Sequence, residues 1–320
     1  MPAKPIIAVT TGDPCGIGPE ITLKAARSPR VRRECRLVIT GVLPAGAELA
    51  EEQEFIDLSG YARKLGPDRD YRTGRPSRKG GLLSFKAVEL ATQAVLNGKA
   101  SAIVTAPVSK QSWQKAGLPY TGHTEFFEKY CQSPGAAMCF AKGPVRVMTV
   151  TNHLPLKAVA RELDARLIVS KTLKFAAALK EEGLHNPEIG IGALNPHAGD
   201  AGRLGGEEIS VIAPAVAALR RKGVKASGPL PADALWAAHL TGRFDAIVVP
   251  YHDCALIPLK ILNGPAAVHF TAGLPIIRTS PAHGTAFDIA GKTIACPASM
   301  IAAVLLAAKT ARIKKKEAAE

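Results

Sequence analysis

The sequence is short of aromatic residues, 5% of 320, and no apolar run reaches the length of a membrane-spanning helix. It begins MPAKPIIAVTTGD, without the long apolar segment of a secretory leader. Its six cysteines, Cys15, Cys35, Cys131, Cys139, Cys254 and Cys296, are scattered and form no CxxC pair. Together these absences predict a reduced, cytoplasmic chain with no membrane partner. The glycine-rich loop after the first predicted strand, Gly12–Glu20, is not GxGxxG and no Gly-Lys-Ser/Thr follows it, so neither a Rossmann fingerprint nor a P-loop is supported there. There is no internal repeat. The formal net charge is +14, yet no nucleic-acid-binding motif accompanies it and stacking aromatics are scarce. Many of the cations lie in 61–80 and in Lys309–Lys316, which read as solvated loop and a frayed terminal helix. Such a field suits the steering of a small anionic substrate better than a nucleic acid.

What the chain does have is aliphatic bulk, 47% hydrophobic residues, mainly Ala, Val, Leu and Ile. Strand and helix signals alternate, which predicts an α/β protein with parallel sheet. Strands are expected at Ile6–Thr11, Leu37–Thr40, Ala102–Thr105, Val145–Thr151, Glu188–Leu194 and Asp245–Pro250. Helices are expected at Ile21–Ala26, Leu82–Leu96, Glu125–Cys131, Asp164–Glu182, Ile209–Lys222, Pro231–Leu240 and Pro297–Arg312. The region 44–80, rich in charge, Gly and Pro, reads as loop and peripheral structure. Gly98 stops one helix, Asp164 caps another, and Thr124 is a candidate cap for a third.

The stretch from Tyr251 to Gly291 concentrates the chemistry. Ala246-Ile247-Val248-Val249 reads as a buried parallel strand, and Tyr251, His252 and Asp253 follow its end, where ligands bind in open α/β sheets. Lys260 and Arg278 are two cations suited to an anionic small molecule. His283-Gly284-Thr285-Ala286, then Asp288-Ile289, form a glycine-bearing turn expected to enter a short helix and offer N–H groups to an anion or nucleotide. Elsewhere, His123 and Thr124 at a helix start suit a phosphate, although a capping Thr beside a hydrogen-bonded His fits equally well. His153, His197 and His252 each follow a predicted strand. Spacing alone leaves a metal set and ordinary strand-end histidines both open. His185 and His239 read as surface or helix residues.

Eight motifs carry a resemblance across nearly the whole chain: TGDPCGIGPE (11–20), TAPVSK (105–110), TGHTEFF (121–127), TNHLPL (151–156), LNPHAG (194–199), GPLPAD (228–233), YHDCALIPLK (251–260) and GLPIIRTSPAHGTA (273–286). In this order they resemble the 4-hydroxythreonine-4-phosphate dehydrogenase family of pyridoxal phosphate synthesis. PAHGTAFDIAGKTIACPAS (281–299) also resembles the nucleotide loop of isocitrate and isopropylmalate dehydrogenases, where Asp-Ile goes with NAD. A carboxylate accepts hydrogen bonds from a free ribose 2′-OH and repels a 2′-phosphate.

The resemblance implies two α/β/α domains with a cleft between them, isocitrate/isopropylmalate dehydrogenase-like, with 1–115 plus 265–320 in the first and 116–264 in the second. It implies NAD at His283, Gly284, Thr285, Ala286, Asp288 and Ile289. It implies one divalent metal (Zn, Mg, Mn or Co) on His153, His197 and His252 at a homodimer interface, with His252 donated by the partner. Substrate would meet His123, Thr124, Lys260, His269 and Arg278, while Lys260, Asp233 and Asp253 are candidates for proton transfer or orientation. The activity implied is oxidation of 4-phosphooxy-L-threonine to 2-amino-3-oxo-4-phosphooxybutanoate, which loses CO2 to give 3-amino-2-oxopropyl phosphate. Departures from the family pattern are His269 (usually Asn), Cys254 (usually Gln) and Asp200-Ala201 (usually Glu-Gly). They keep open a relative acting on a phosphorylated aldonate, such as 4-phosphothreonate or 4-phosphoerythronate. A basic non-catalytic binding protein gives no reason for metal histidines and a nucleotide loop to occur together.

Overall fold

The structure, a computed structural model, describes residues 3–262 and 266–318. Among these lie strands β1 (Ile6–Thr10), β2 (Arg36–Gly41), β3 (Glu54–Asp57), β4 (Ala102–Thr105), β5 (Ala137–Lys142), β6 (Val145–Thr149), β7 (Ile189–Gly192), β8 (Ala226–Leu230), β9 (Ala246–Val249), β10 (Val268–Ala272) and β11 (Arg278–Pro281). The chain divides into two compact units, Met1–Pro134 with Leu274–Glu320, and Gly135–Gly273.

The first unit holds five parallel strands in the order β3-β2-β1-β4-β11. β4 is buried at every position and β1 at all but its first, as continuous aliphatic runs require when helices cover both faces. The chain runs from β1 outward to β2 and β3, then returns to place β4 on the other side of β1. The order therefore reverses between β1 and β4, the kind of switch point where open α/β sheets bind ligands. Helix Arg78–Leu96 begins where Ser77 Oγ accepts from Gly80 N at 2.9 Å. It ends at Asn97, and Gly98 takes a positive φ of 71°. The region 44–80, expected to be loop and peripheral structure, holds the edge strand β3, the helix Ser59–Lys64 and the first turn of Arg78–Leu96.

The second unit has the order β10-β5-β6-β9-β7-β8. β10-β5-β6 pair antiparallel, and β6-β9-β7-β8 are parallel. The long helix Ala165–Glu181 is capped as expected, with Asp164 Oδ1 accepting from Arg166 N at 2.6 Å. Gly190 of β7 has no room for a side chain, since a Cβ there would stand 2.4 Å from Leu235 Cδ1. This lets helix Ala232–Leu240 lie close on the sheet.

Both expected domain boundaries need correction. Residues 116–134 belong to the first unit because Phe126, Phe127 and Tyr130 pack with Trp113 and Phe85 in its core. The segment 266–273 belongs to the second because β10 pairs with β5. The expected 264/265 boundary itself lies outside the described residues. Among the described residues, no helix is long and apolar enough to cross a membrane.

Candidate active site

In the first unit, three loops meet at the carboxyl ends of β1, β4 and β11. Asp13 N, after β1, donates to Pro107 O, after β4, at 2.9 Å, and Ile17 N donates to Thr285 O, after β11, at 3.0 Å. The glycines of TGDPCGIGPE serve this close approach. A Cβ on Gly12 would stand 2.3 Å from Pro107 O, and one on Gly16 2.8 Å from Thr285 O. Asp13 is fully buried. Burial raises its carboxyl pKa, against the lowering effect of Ser112 Oγ and Cys15 N, which donate to it at 2.6 and 3.0 Å.

Arg278 opens β11 and is only 2% exposed. Its Nη2 donates to Thr105 Oγ1, at the end of β4, at 2.8 Å, and its guanidinium lies 5.4 Å from the centroid of Phe127. The His123 ring stacks on the same Phe127 at 6.2 Å and meets Trp113 edge-on at 5.8 Å. Burial, with Arg278 nearby, pushes the His123 pKa well down, so the ring is neutral at pH 7. Burial also lowers the Arg278 pKa to about 9, still cationic at neutral pH. His123 Nε2 is shielded from solvent and has no hydrogen-bond partner among the described residues. A buried cation beside an unsatisfied imidazole nitrogen fits an incoming anion or hydroxyl. Helix His123–Tyr130 starts one residue before its expected cap: Gly122 takes that position without a side-chain bond, and half-buried Thr124 lies in the first turn.

The expected nucleotide loop forms turns rather than the short helix read from the sequence. His283 and Gly284 are exposed, with His283 Nδ1 3.0 Å from Gly284 O; Asp288 is exposed, and Ile289 N donates to Ala286 O at 3.2 Å. The loop's tie to Ile17 joins it to the glycine-rich loop. The long helix after it, Ala298–Glu317, is set apart by intervening turns and bends.

In the second unit, four chemistry-bearing residues follow the carboxyl ends of the parallel strands: His153 after β6, His252 after β9, His197 after β7 and Asp233 after β8. The structure brings His153 and His252 together, with ring centroids 5.6 Å apart. Asp253 Oδ1 lies 2.7 Å from His252 Nδ1. A carboxylate on one ring nitrogen orients the other toward a ligand, as metal-bound histidines require. No group of three metal-ligating side chains forms among the described residues. The rings that meet within one chain are those of His153 and His252, whereas the resemblance put the ligands His153 and His197 in one chain. His252 opens helix His252–Ile261.

His197 occupies an unusual backbone. His197, Ala198, Gly199, Asp200 and Ala201 have φ of 53°, 53°, 79°, 42° and 53°, a complete turn of left-handed helix. Such a conformation costs roughly 1–2 kcal/mol for each non-glycine residue. Glu208 holds it. The Glu208 side chain is buried, and its Oε1 accepts from Leu194 N at 2.9 Å and Asn195 N at 2.8 Å. Asn195 Nδ2 donates to Glu208 Oε2 at 3.0 Å and to Glu207 Oε2 at 2.7 Å. Burial opposes ionisation of Glu208, but these donors outweigh it and hold its pKa below the ordinary carboxylate value.

Lys260 is exposed in the last turn of helix His252–Ile261, about 12 Å along the axis from His252. Asp233 is exposed, and its Oδ1 accepts from Ala234 N at 2.8 Å. His269 is half-buried on β10, its ring 5.3 Å from Phe140. As expected, His185 is exposed and His239 lies on a helix, Ala232–Leu240; His239 is buried there, where Arg146 N donates to its Nε2 at 3.2 Å and its Nδ1 lies 2.8 Å from Phe244 O. Thr105, Phe127, Asp13 and Glu208 were not singled out from sequence. The first three sit in motifs already noted, so their place within TAPVSK, TGHTEFF and TGDPCGIGPE was the available signal.

Comparison with known proteins agrees with this geometry. The family model described as pyridoxal phosphate biosynthetic protein PdxA matches residues 23–307. A 4-hydroxythreonine-4-phosphate dehydrogenase of Erythrobacter litoralis is 40% identical over 97% of both chains. That of Caulobacter vibrioides is also 40% identical, over 97% of this chain and 98% of its own. The crystal structure of the Klebsiella pneumoniae 4-hydroxythreonine-4-phosphate dehydrogenase superposes with a TM-score of 0.83 at 35% identity, covering 96% of this chain and all of that one.

Proposed function

The chain belongs to the PdxA family of pyridoxal phosphate biosynthetic proteins, and from that premise we propose that it oxidises 4-phosphooxy-L-threonine with NAD. The observation that carries the reading is the buried Arg278 beside neutral His123, a site built for an anionic substrate at the carboxyl edge of a parallel sheet. Arg278 supplies fixed positive charge. Phe127 and Trp113 hold the imidazole, which can donate one hydrogen bond and accept another. Thr124, on the first turn of the same helix, offers a hydroxyl and a backbone N–H.

The substrate C3 hydroxyl loses its proton and C3 loses hydride to the nicotinamide, giving NADH and a β-keto acid. That acid then loses CO2 and takes up a proton at the vacated carbon. The turn His283–Ile289 holds the nucleotide, and Asp288 favours a free 2′-OH over a 2′-phosphate. His153 and His252, the latter oriented by Asp253, fit two positions of a divalent metal. Held there, such a metal would supply Lewis-acid chemistry at the substrate's C3 oxygen. Lys260, Asp233 and His269 remain candidates for substrate contact and proton transfer.

The third metal ligand is His197 of a second copy, which makes the active form a homodimer. Each histidine is flanked by exposed large apolar side chains: Leu154 and Leu156 near His153, Leu204 and Ile209 near His197, and Ile257 and Ile261 on the helix of His252. Exposed apolar surface of this kind marks an interface. The test is NADH absorbance with purified protein, a divalent metal, NAD or NADP, and each of 4-phosphooxy-L-threonine, 4-phosphothreonate and 4-phosphoerythronate. NADH formation with the first alone is the expected result. Turnover only of an aldonate would shift the substrate, and a lower KM for NADP would overturn the role of Asp288.

A further inference from the structure

We propose that Glu208 is a positioning residue for His197, fixing the left-handed turn that presents this histidine to the metal. The inference rests on the metal reading above and adds a residue to it. Three independent features converge on the Glu208 carboxylate. It accepts from two consecutive backbone N–H groups, Leu194 and Asn195, where the chain leaves β7 for the turn. It also accepts from the Asn195 amide, which Glu207 anchors from the other side. And it lies directly against the middle of the turn, where a Cβ on Gly199 would stand 2.6 Å from Glu208 Oε2. The turn is thus tied to this carboxylate just before it starts and packed against it at Gly199, and His197 is exposed near its start.

Glu208 itself opens a single turn of π-helix, Glu208–Ile212. Such turns are uncommon and occur often at functional sites. The five-residue left-handed run persists only if its surroundings impose it. Glutamine at 208 would keep the shape but oppose its own amide to that of Asn195, donor against donor. The turn would then lose one anchor, and His197 its fixed direction. Groups that orient a metal-bound histidine typically contribute 10- to 100-fold in affinity.

The test is a titration of the metal-free, full-length protein with Co(II) alone, followed by visible absorbance, at protein concentrations where its assembly state is constant. Glu208→Gln is expected to weaken Co(II) binding about 10- to 100-fold. Asn195→Ala, which removes the amide bridge and leaves both backbone N–H donors to Glu208 in place, should weaken it less but in the same sense. It decides the matter if Glu208→Gln does not fold. Leu219→Ala, a fully buried position on helix Ala213–Arg221, destabilises the same unit and should leave the affinity within about twofold, because a transfer-and-cavity defect is global. Wild-type affinity in both Glu208→Gln and Asn195→Ala overturns the proposal, as does an equal loss in Leu219→Ala. His197→Ala separates the two levels of inference. Unchanged Co(II) binding there removes His197 from the metal site and takes this proposal with it. Lost binding there, with unchanged binding in the Glu208 and Asn195 variants, removes the positioning role alone.

Discussion

The functional residues of the two units differ in how finished they are. In the first unit, Arg278 and His123 are set in an aromatic and aliphatic core, with Thr105, Phe127 and Trp113 fixing their positions. In the second, His153, His252 and His197 lie at the surface or near it, only two of them come together, and apolar side chains beside them face solvent. A site for a substrate's charge can be completed by one chain, because a single buried cation and a few donors suffice. A three-ligand metal site needs its third arm from elsewhere when one chain gathers only two. On the proposed dimer, burial would mark the half built within one chain, and exposed apolar surface the half completed by a second copy.

The largest effect tests that contrast directly. His153→Ala and His197→Ala proteins should each be inactive, yet mixing them with subunit exchange should restore about a quarter of wild-type activity, because half the dimers are mixed and each has one intact site. Mixing His153→Ala with His252→Ala should restore none, since both defects fall on the same arm. The reverse pattern would return His153 and His197 to one chain and break the comparison.

Arg278→Met comes next and sharpens the other side. Loss of a buried charge facing an anionic substrate should cost about 2–5 kcal/mol in kcat/KM. The same change removes a desolvated cation and should leave the fold as stable or more so, by up to about 1–4 kcal/mol. Paired kinetics and urea denaturation check both. A variant that loses stability in step with activity would mean that Arg278 supports the core rather than the substrate.

His123 gives a smaller, pH-dependent effect. Its folded pKa lies well below the unfolded value, so as pH falls below about 6.5 the unfolded chain takes up a proton that the folded chain refuses. Stability should fall with acid by up to about 1.4 kcal/mol per pH unit from this group, until pH reaches the folded pKa. His239, lowered by burial in the same direction, adds to it. His123→Gln should flatten the pH dependence of the urea midpoint between pH 7 and 5 without removing the share due to His239. An unchanged slope would mean that His123 is not shielded as described.

The smallest effect belongs to the left-handed turn. Ala201 stands at φ 53°, where the family pattern usually has Gly. Ala201→Gly should stabilise the protein by about 1 kcal/mol, read as a rise in urea midpoint. A loss would show that the Ala201 methyl has packing worth more than the strain.

Much of this was legible in the residues, for identifiable reasons. The runs Ile6–Thr10, Ala102–Thr105 and Ala246–Val249 are unbroken and aliphatic, so their burial could be read directly. Asp164 announced its helix by position and bonds as a cap. β8, with ASGPL, and β11, with RTSP, could not be read this way. They carry proline, glycine and polar residues, and their neighbours in the sheet decide their conformation. The units' limits were misplaced because the packing of Phe126 on Trp113 and the pairing of β10 with β5 are long-range facts. At the site, strand-end histidines were visible as candidates, but which two would meet was not. That depends on the order β6-β9-β7 and on the left-handed turn that carries His197, and neither leaves a mark on local periodicity.

The chain has two tryptophans, and their placement gives the protein two separate optical reporters. Trp113 stands edge-on to His123, and Trp236 Nε1 donates to Cys254 O at 2.9 Å, in the first turn of the helix that begins with His252. Each indole therefore watches one half of the chemistry. In Trp236→Phe protein the remaining emission should respond to phosphorylated substrate, and in Trp113→Phe protein it should respond to metal. The order in which the two signals change during a stopped-flow experiment reads out which half is occupied first, with no label attached.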